Sequence, residues 1–164
     1  MLACSCKICL FEITTYKCTD KKNDYHKFNK RKAGVLIIDK YDRLLLVQSR
    51  GHLFGIAKGT LEHHETFENG ALRELKEETG IDLDVSQLEY EIRLNQKTCY
   101  YYVKLDREIY PKVRHQIEDN DANSVVLITL NCLIENIKKK KMKITHQTKK
   151  VLGKLYENID FFEL

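Results

Sequence analysis

The sequence predicts a mixed α/β fold, a mixed β-sheet with helices on its flanks. Three observations carry that prediction. Apolar runs of strand length recur at residues 33–39, 43–49, 88–94, 98–105 and 124–130. Helical patterning holds over residues 66–79 and again over two segments near the end of the chain. The two kinds of segment interleave without the strict strand–helix–strand alternation of an all-parallel sheet.

The chain has 164 residues, one ordinary domain's length and enough to bury a core. Hydrophobic residues make up 43% and charged residues 32%, which excludes a disordered chain. A formal net charge of +4 mildly favours anionic partners and does not by itself indicate nucleic acid. The opening residues "MLACSCKICLFEITTYK" lack the basic-then-apolar order of a signal peptide. No apolar run approaches the roughly 20 residues of a membrane span. The expectation is a soluble, cytoplasmic protein with no membrane partner.

In order along the chain, residues 1–32 are cysteine-rich and then basic, ending in "KFNKRK" (Lys27–Lys32). Next come Ala33–Asp39 and Arg43–Ser49, two apolar runs around a polar turn, predicted as a β-hairpin. "RGHLFGIAKG" (Arg50–Gly59), with three glycines, is expected to be a loop. Thr66 is a candidate N-cap and Gly80 a C-terminal stop for the helix between them. "LEYEIRL" (Leu88–Leu94), "TCYYYVKL" (Thr98–Leu105) and "SVVLITL" (Ser124–Leu130) read as strands. "NCLIENIKKKK" and "ITHQTKKVLGKLYENI" read as closing helices.

The predicted helix carries unusual charge. At about 100° per residue, Ala71, Leu72 and Leu75 share an apolar face. Beside it stand Glu74, Glu77 and Glu78, at i, i+3 and i+4. Like charges at this spacing repel, and they lie near the negative end of the helix dipole. Local stability does not account for them; a hard divalent cation with oxygen ligands does. Glu65 stands at the helix start and can fold back toward the same pocket. Arg73 is placed to orient a carboxylate through a bidentate contact. Against this stands the plainer reading of a solvated, glutamate-rich helix.

The complete spacing decides between them. Gly59, five residues, Glu65, seven residues, then Arg73-Glu74-Leu75-x-Glu77-Glu78-x-Gly80-Ile81 resembles the Nudix box at every defined position. The resemblance implies a Nudix α/β/α sandwich around a mixed sheet with a catalytic loop-helix-loop, residues 33–164 forming the hydrolase domain and 1–32 an extension. It implies a Mg²⁺- or Mn²⁺-dependent pyrophosphohydrolase cleaving a nucleoside diphosphate-linked substrate. Glu74, Glu77 and Glu78 would bind metal, as would the Lys58 carbonyl. Glu77 or Glu74 would be the general base, and Arg73 would hold the cluster. "FGIAKG" (Phe54–Gly59) resembles the family's Trp-Gly-x-Pro-Lys-Gly with Ala57 in place of proline. Lys58 and Arg50 are substrate-binding candidates.

From Lys138 to Lys154 the chain carries eight lysines and no acid. Such a run is either a solvated helix end or a basic rim for a polyanion. Capped RNA fits such a rim, through mRNA decapping, and so do a dinucleoside polyphosphate and a diphosphoinositol polyphosphate. A ring of Tyr100–Tyr102 can stack on a base, although alternation along a strand puts at least one of them in the core. Glu118, Asp119 and Asp121 offer an extra carboxylate from a late loop. Of the six cysteines, Cys6 and Cys9 form a C-x-x-C that with Cys18 and His26 has spacing for a structural zinc, Cys4 being an alternative ligand. A plain strand or hairpin with ordinary thiols is the competing reading. A non-catalytic Nudix-fold module binding nucleotide or RNA is the alternative of another class, and the retention of all the box glutamates argues against it.

Overall fold

The computed structural model describes residues 6–13, 30–49, 53–112 and 122–164. Nine strands and three helices follow one another as β1 (Leu10–Ile13), β2 (Lys32–Ile38), β3 (Arg43–Ser49), β4 (Leu53–Gly55), β5 (Ala57–Thr60), α1 (Phe67–Thr79), β6 (Tyr90–Asn95), β7 (Thr98–Lys104), β8 (Ala122–Thr129), α2 (Leu130–Lys138), β9 (Lys143–Ile144) and α3 (His146–Leu155). The mixed α/β expectation holds. The main sheet runs β1-β8-β3-β2-β7-β6. The β2–β7 and β4–β9 pairs are parallel and the other pairings are antiparallel.

Strand alternation sorts side chains into two cores. On one face Val35, Ile37, Leu45, Val47, Tyr101 and Val103 pack against Ala71 and Leu75 of α1. On the other, Leu36, Ile38, Leu44, Leu46, Tyr100 and Val126 pack with Leu133 and Ile137 of α2 and Val151 and Leu152 of α3. The result is three layers, with α1 alone on its side. Among the described residues, no helix is long and apolar enough to cross a membrane.

Two sequence expectations are corrected here. The predicted β2–β3 hairpin closes only at its turn, where Ile38 pairs with Leu44. Beyond that point the strands part, β5 pairing along β2 and β4 along β3. The expected 50–59 loop accordingly contains most of two short strands. Their pairing depends on β2 and β3 parting beyond the turn, and a segment this short carries no alternation that would announce it.

The β2–β3 turn is held by a buried ion pair. Arg43 is 2% exposed, and its Nε donates to Asp39 Oδ2 at 2.9 Å. Asp39 Oδ1 accepts the backbone N–H groups of Tyr41 and Arg43. Arg43 also donates to Glu108 at 3.1 Å and to the Ile8 carbonyl at 2.8 Å. Every donor and acceptor so satisfied limits the desolvation cost of a buried charge pair. The same guanidinium ties the residues before β1 to the sheet.

Candidate active site

The site forms where α1 crosses the β5 end of the split sheet. Thr66 caps α1 by accepting the Asn69 N–H at 3.2 Å. Gly80 ends it in the left-handed region (φ 71°), its N–H donating to the Lys76 carbonyl. Ala71 and Leu75 anchor the helix in the core. The glutamates are thereby turned toward β5.

Arg73 is the hub. Its Nε and Nη2 hold Glu65 in a bidentate pair, both at 3.0 Å. Its Nη1 reaches Glu74 at 3.0 Å and Glu77 at 3.1 Å. Nη2 also donates to the Thr60 carbonyl, fixing the helix to the end of β5. One guanidinium therefore hydrogen-bonds three carboxylates, with the exposed Glu62 at 3.9 Å as a fourth, looser ion-pair partner. Surrounding acids raise its already high pKa further, the hydrogen bond it donates to Glu65 being the largest cause.

The carboxylates differ in environment. Glu65 is held below the ordinary range, first by Arg73 and also by the Glu62 N–H. Glu74 is pushed above it, because burial outweighs the contact with Arg73. Its carboxyl group lies against Gly59, where any Cβ would overlap it. Glu77 is the most open of the box acids, with its side chain 37% exposed. Glu78 is buried at 8% exposure and accepts the Lys58 N–H at 3.0 Å. Glu74 and Glu78, one turn apart, both face β5, Glu74 against Gly59 and Glu78 against the Lys58 N–H, with Glu78 the deeper of the two.

Other candidates are placed as follows. Lys58 lies in β5, partly exposed, paired with Gly34 of β2. Tyr100 and Tyr101 are core residues, the Tyr100 hydroxyl facing Gln147 at 3.0 Å. Tyr102 is stacked on Tyr90 with ring centroids 4.6 Å apart. Lys138–Lys141 are exposed. Arg50, Glu118, Asp119, Asp121, Cys4, Cys18 and His26 lie outside the described residues. Cys6 and Cys9 do come together, and Cys132 joins them.

Sequence reasoning missed the support of the helix start. The guanidinium groups of Arg31 and Arg93 both lie over the Phe67 ring, at 5.3 and 5.0 Å. Arg31 also donates to the Glu65 carbonyl at 3.1 Å. These contacts hold the first residue of α1 and the residue that pairs with Arg73. No local motif announces them, because Arg93 arrives from β6.

A three-layer α/β/α fold with an acid-rich helix braced against a short strand defines the class. A family model for the NUDIX domain matches residues 28–146, and the chain belongs to the Nudix family. "Putative hydrolase 111R" of Invertebrate iridescent virus 3 is 42% identical over 65 residues, 39% of this chain and 38% of that protein. The match thus spans well under half of the viral relative. The fold is similar to a bifunctional NMN adenylyltransferase/ADP ribose pyrophosphatase from Francisella tularensis, solved with AMP and a Mn ion. That likeness has a TM-score of 0.57 and 26% identity, covering 79% of this chain and 42% of the other. A C. elegans Ap4A hydrolase shares the fold at a TM-score of 0.54 and 20% identity, covering 78% of this chain and 97% of that one.

Proposed function

We propose that the chain is a metal-dependent pyrophosphohydrolase acting on a nucleoside diphosphate-linked substrate, with residues 33–164 as the hydrolase domain and 1–32 as its extension. One observation carries this reading: a single cation, Arg73, is shared by Glu65, Glu74 and Glu77, with Glu78 alongside. The site has more carboxylates than positive charge. Burial disfavours the charged form of Glu74 despite its contact with Arg73, which is consistent with a further cation beside it.

The donor set suits Mg²⁺ or Mn²⁺, being all oxygen. Glu74, Glu77 and Glu78 would hold the ion, with the Lys58 carbonyl as a further ligand. The ion supplies Lewis-acid polarisation of phosphate oxygens and a more acidic water. Glu65 is committed to Arg73 and keeps that guanidinium in position to orient Glu74 and Glu77. Glu77, the more exposed of the two, is the better placed to take a proton from water; Glu74 is the other candidate. Attack by that water on phosphorus breaks one phosphoanhydride P–O bond, and the two phosphate products share the added water. Lys58 and Arg50 would contact substrate phosphates.

The Francisella neighbour, a bifunctional NMN adenylyltransferase/ADP ribose pyrophosphatase complexed with AMP and a Mn ion, is consistent with the nucleotide class and the metal. Within that class, capped RNA draws support from the exposed lysines at the end of α2. The deciding experiment sets capped RNA, dinucleoside polyphosphates, ADP-ribose, nucleoside triphosphates and inositol pyrophosphates side by side with Mg²⁺ and Mn²⁺. Hydrolysis of a nucleotide-linked pyrophosphate, abolished by chelation and by Glu77→Gln, is expected. Hydrolysis that survives both treatments overturns the assignment.

A further inference from the structure

We propose that Cys6, Cys9 and Cys132 bind a thiolate-ligated zinc ion that fastens the N-terminal strand to the start of α2. The three sulfurs all lie within 4.8 Å of one another. They come from two segments more than a hundred residues apart, so local sequence does not force the meeting. In a tetrahedral site with Zn–S bonds of about 2.3 Å, neighbouring sulfurs stand roughly 3.8 Å apart. The Cys6–Cys9 separation of 3.4 Å is close to that spacing.

The surroundings are those of a built site. The C-x-x-C turn is held on each side of its second cysteine. Arg43 donates to the Ile8 carbonyl at 2.8 Å, and β1 begins pairing with β8 at Leu10–Leu127. Cys9 Sγ itself accepts the Thr129 backbone N–H at 3.4 Å, a contact that favours a thiolate. Lys7, inside the turn, takes a positive φ of 59°, which bends the chain between the two sulfurs. Cys132 sits in the first turn of α2, where the helix dipole favours negative charge.

Cys9 and Cys132 pack at the margin of the second apolar core, yet the three sulfurs converge on one another as core packing does not require. Cys99, the cysteine of the core, is fully buried, whereas Cys6, Cys9 and Cys132 are each only partly buried. Thiolate ligands select soft or borderline metals and reject Mg²⁺, so this ion is chemically separate from the one proposed for the glutamates. The sequence had suggested Cys6 and Cys9 with Cys18 and His26; the structure supplies Cys132 as the third ligand. By joining β1 to the β8–α2 corner, the ion would anchor the residues ahead of β2 without entering the hydrolytic site.

The test uses the full chain. Protein purified under reducing conditions and dialysed against Mg²⁺ buffer should retain about one zinc per chain, with X-ray absorption showing three sulfurs at about 2.3 Å. Cys132→Ser should lose that zinc while keeping its circular dichroism and its Mg²⁺-dependent hydrolysis. Cys132→His should retain zinc and exchange one sulfur for nitrogen in the absorption spectrum, even if the serine variant folds poorly. Failure of the reduced wild-type chain to take up zinc or cobalt overturns the proposal. So does an unchanged sulfur count in Cys132→His.

Discussion

The Gly59 backbone and the Glu74 carboxyl group touch where no side chain fits between them. This contact brings β5 against α1 and sets the depth at which Glu74 sits. In Gly59→Ala the added methyl must displace either the carboxyl group or the strand. Overpacking of this kind costs about 1–3 kcal/mol, and a misplaced carboxylate costs about a hundredfold in rate. Urea unfolding should show the modest destabilisation. Steady-state kinetics should show the larger loss, with more metal needed for half-maximal rate.

Arg73→Lys keeps the charge and loses the fork. Lysine is a compact donor and cannot hold Glu65 bidentately while bridging Glu74 and Glu77. Supporting contacts of this kind are worth about 10–100-fold in metal affinity or activity. The expected result is a folded variant with kcat reduced on that scale. Activity within twofold of wild type would show that the guanidinium geometry is dispensable.

Glu65 gives a pH signature. Arg73 lowers its folded-state pKa, so its contribution to stability is present above the ordinary glutamate value of about 4.3 and is lost as pH falls through the lower folded value. Glu65→Gln should therefore be less stable than wild type at neutral pH. The gap should close on acidification below that ordinary value. Unfolding curves in chelator at several pH values measure it, and a gap that widens with acid would contradict the assignment.

Glu74 runs the other way. Burial raises its folded-state pKa, so without metal its protonated form persists to higher pH than in an ordinary glutamate, and its destabilising charge develops as pH rises through the folded value. A divalent ion needs the deprotonated carboxylate. Metal binding in mildly acidic buffer should release a proton, seen by calorimetry in buffers of different ionisation enthalpy. Glu74→Gln should abolish that release. In chelator at neutral pH the same variant should be at least as stable as wild type.

Much of this site was legible because its spacing is local. A helix bounded by Thr66 and Gly80 places residues 73–78 by periodicity alone. What periodicity leaves undetermined is the partner across the gap. The inward turn of Glu78 follows from the Lys58 N–H in β5, a strand hidden inside a glycine-rich segment. The parting of β2 from β3 likewise depends on β4 and β5 arriving between them. The buried Asp39–Arg43 pair carried a faint signal, two opposite charges flanking a turn between apolar runs. Cys132 carried none, since only the folded chain brings it to Cys6 and Cys9.

The exposed lysines at the end of α2 provide a test of substrate size. Lys140 takes a positive φ of 56°, so the chain turns sharply and Lys138–Lys141 cluster at the helix end. The chain then enters β9, which pairs with β4 at Leu53–Lys143, one short step from β5. β9 thus ties this end of α2 to the strand that precedes β5, although α2 and α1 pack on opposite faces of the sheet, so only a substrate long enough to pass the sheet edge would meet both. Among the described residues, the exposed Lys139–Glu135 pair at 3.2 Å offsets part of the ridge's charge, and exposed pairs contribute little. Each phosphate neutralised steepens the salt dependence by roughly 0.7 in log–log slope on a single strand. Neutralising Lys138–Lys141 should therefore flatten the salt dependence of capped-RNA cleavage and raise its KM. Cleavage of a small nucleotide such as ADP-ribose should keep its rate, because no residue of the acid site is touched. Equal effects on both substrates would remove the ridge from substrate binding.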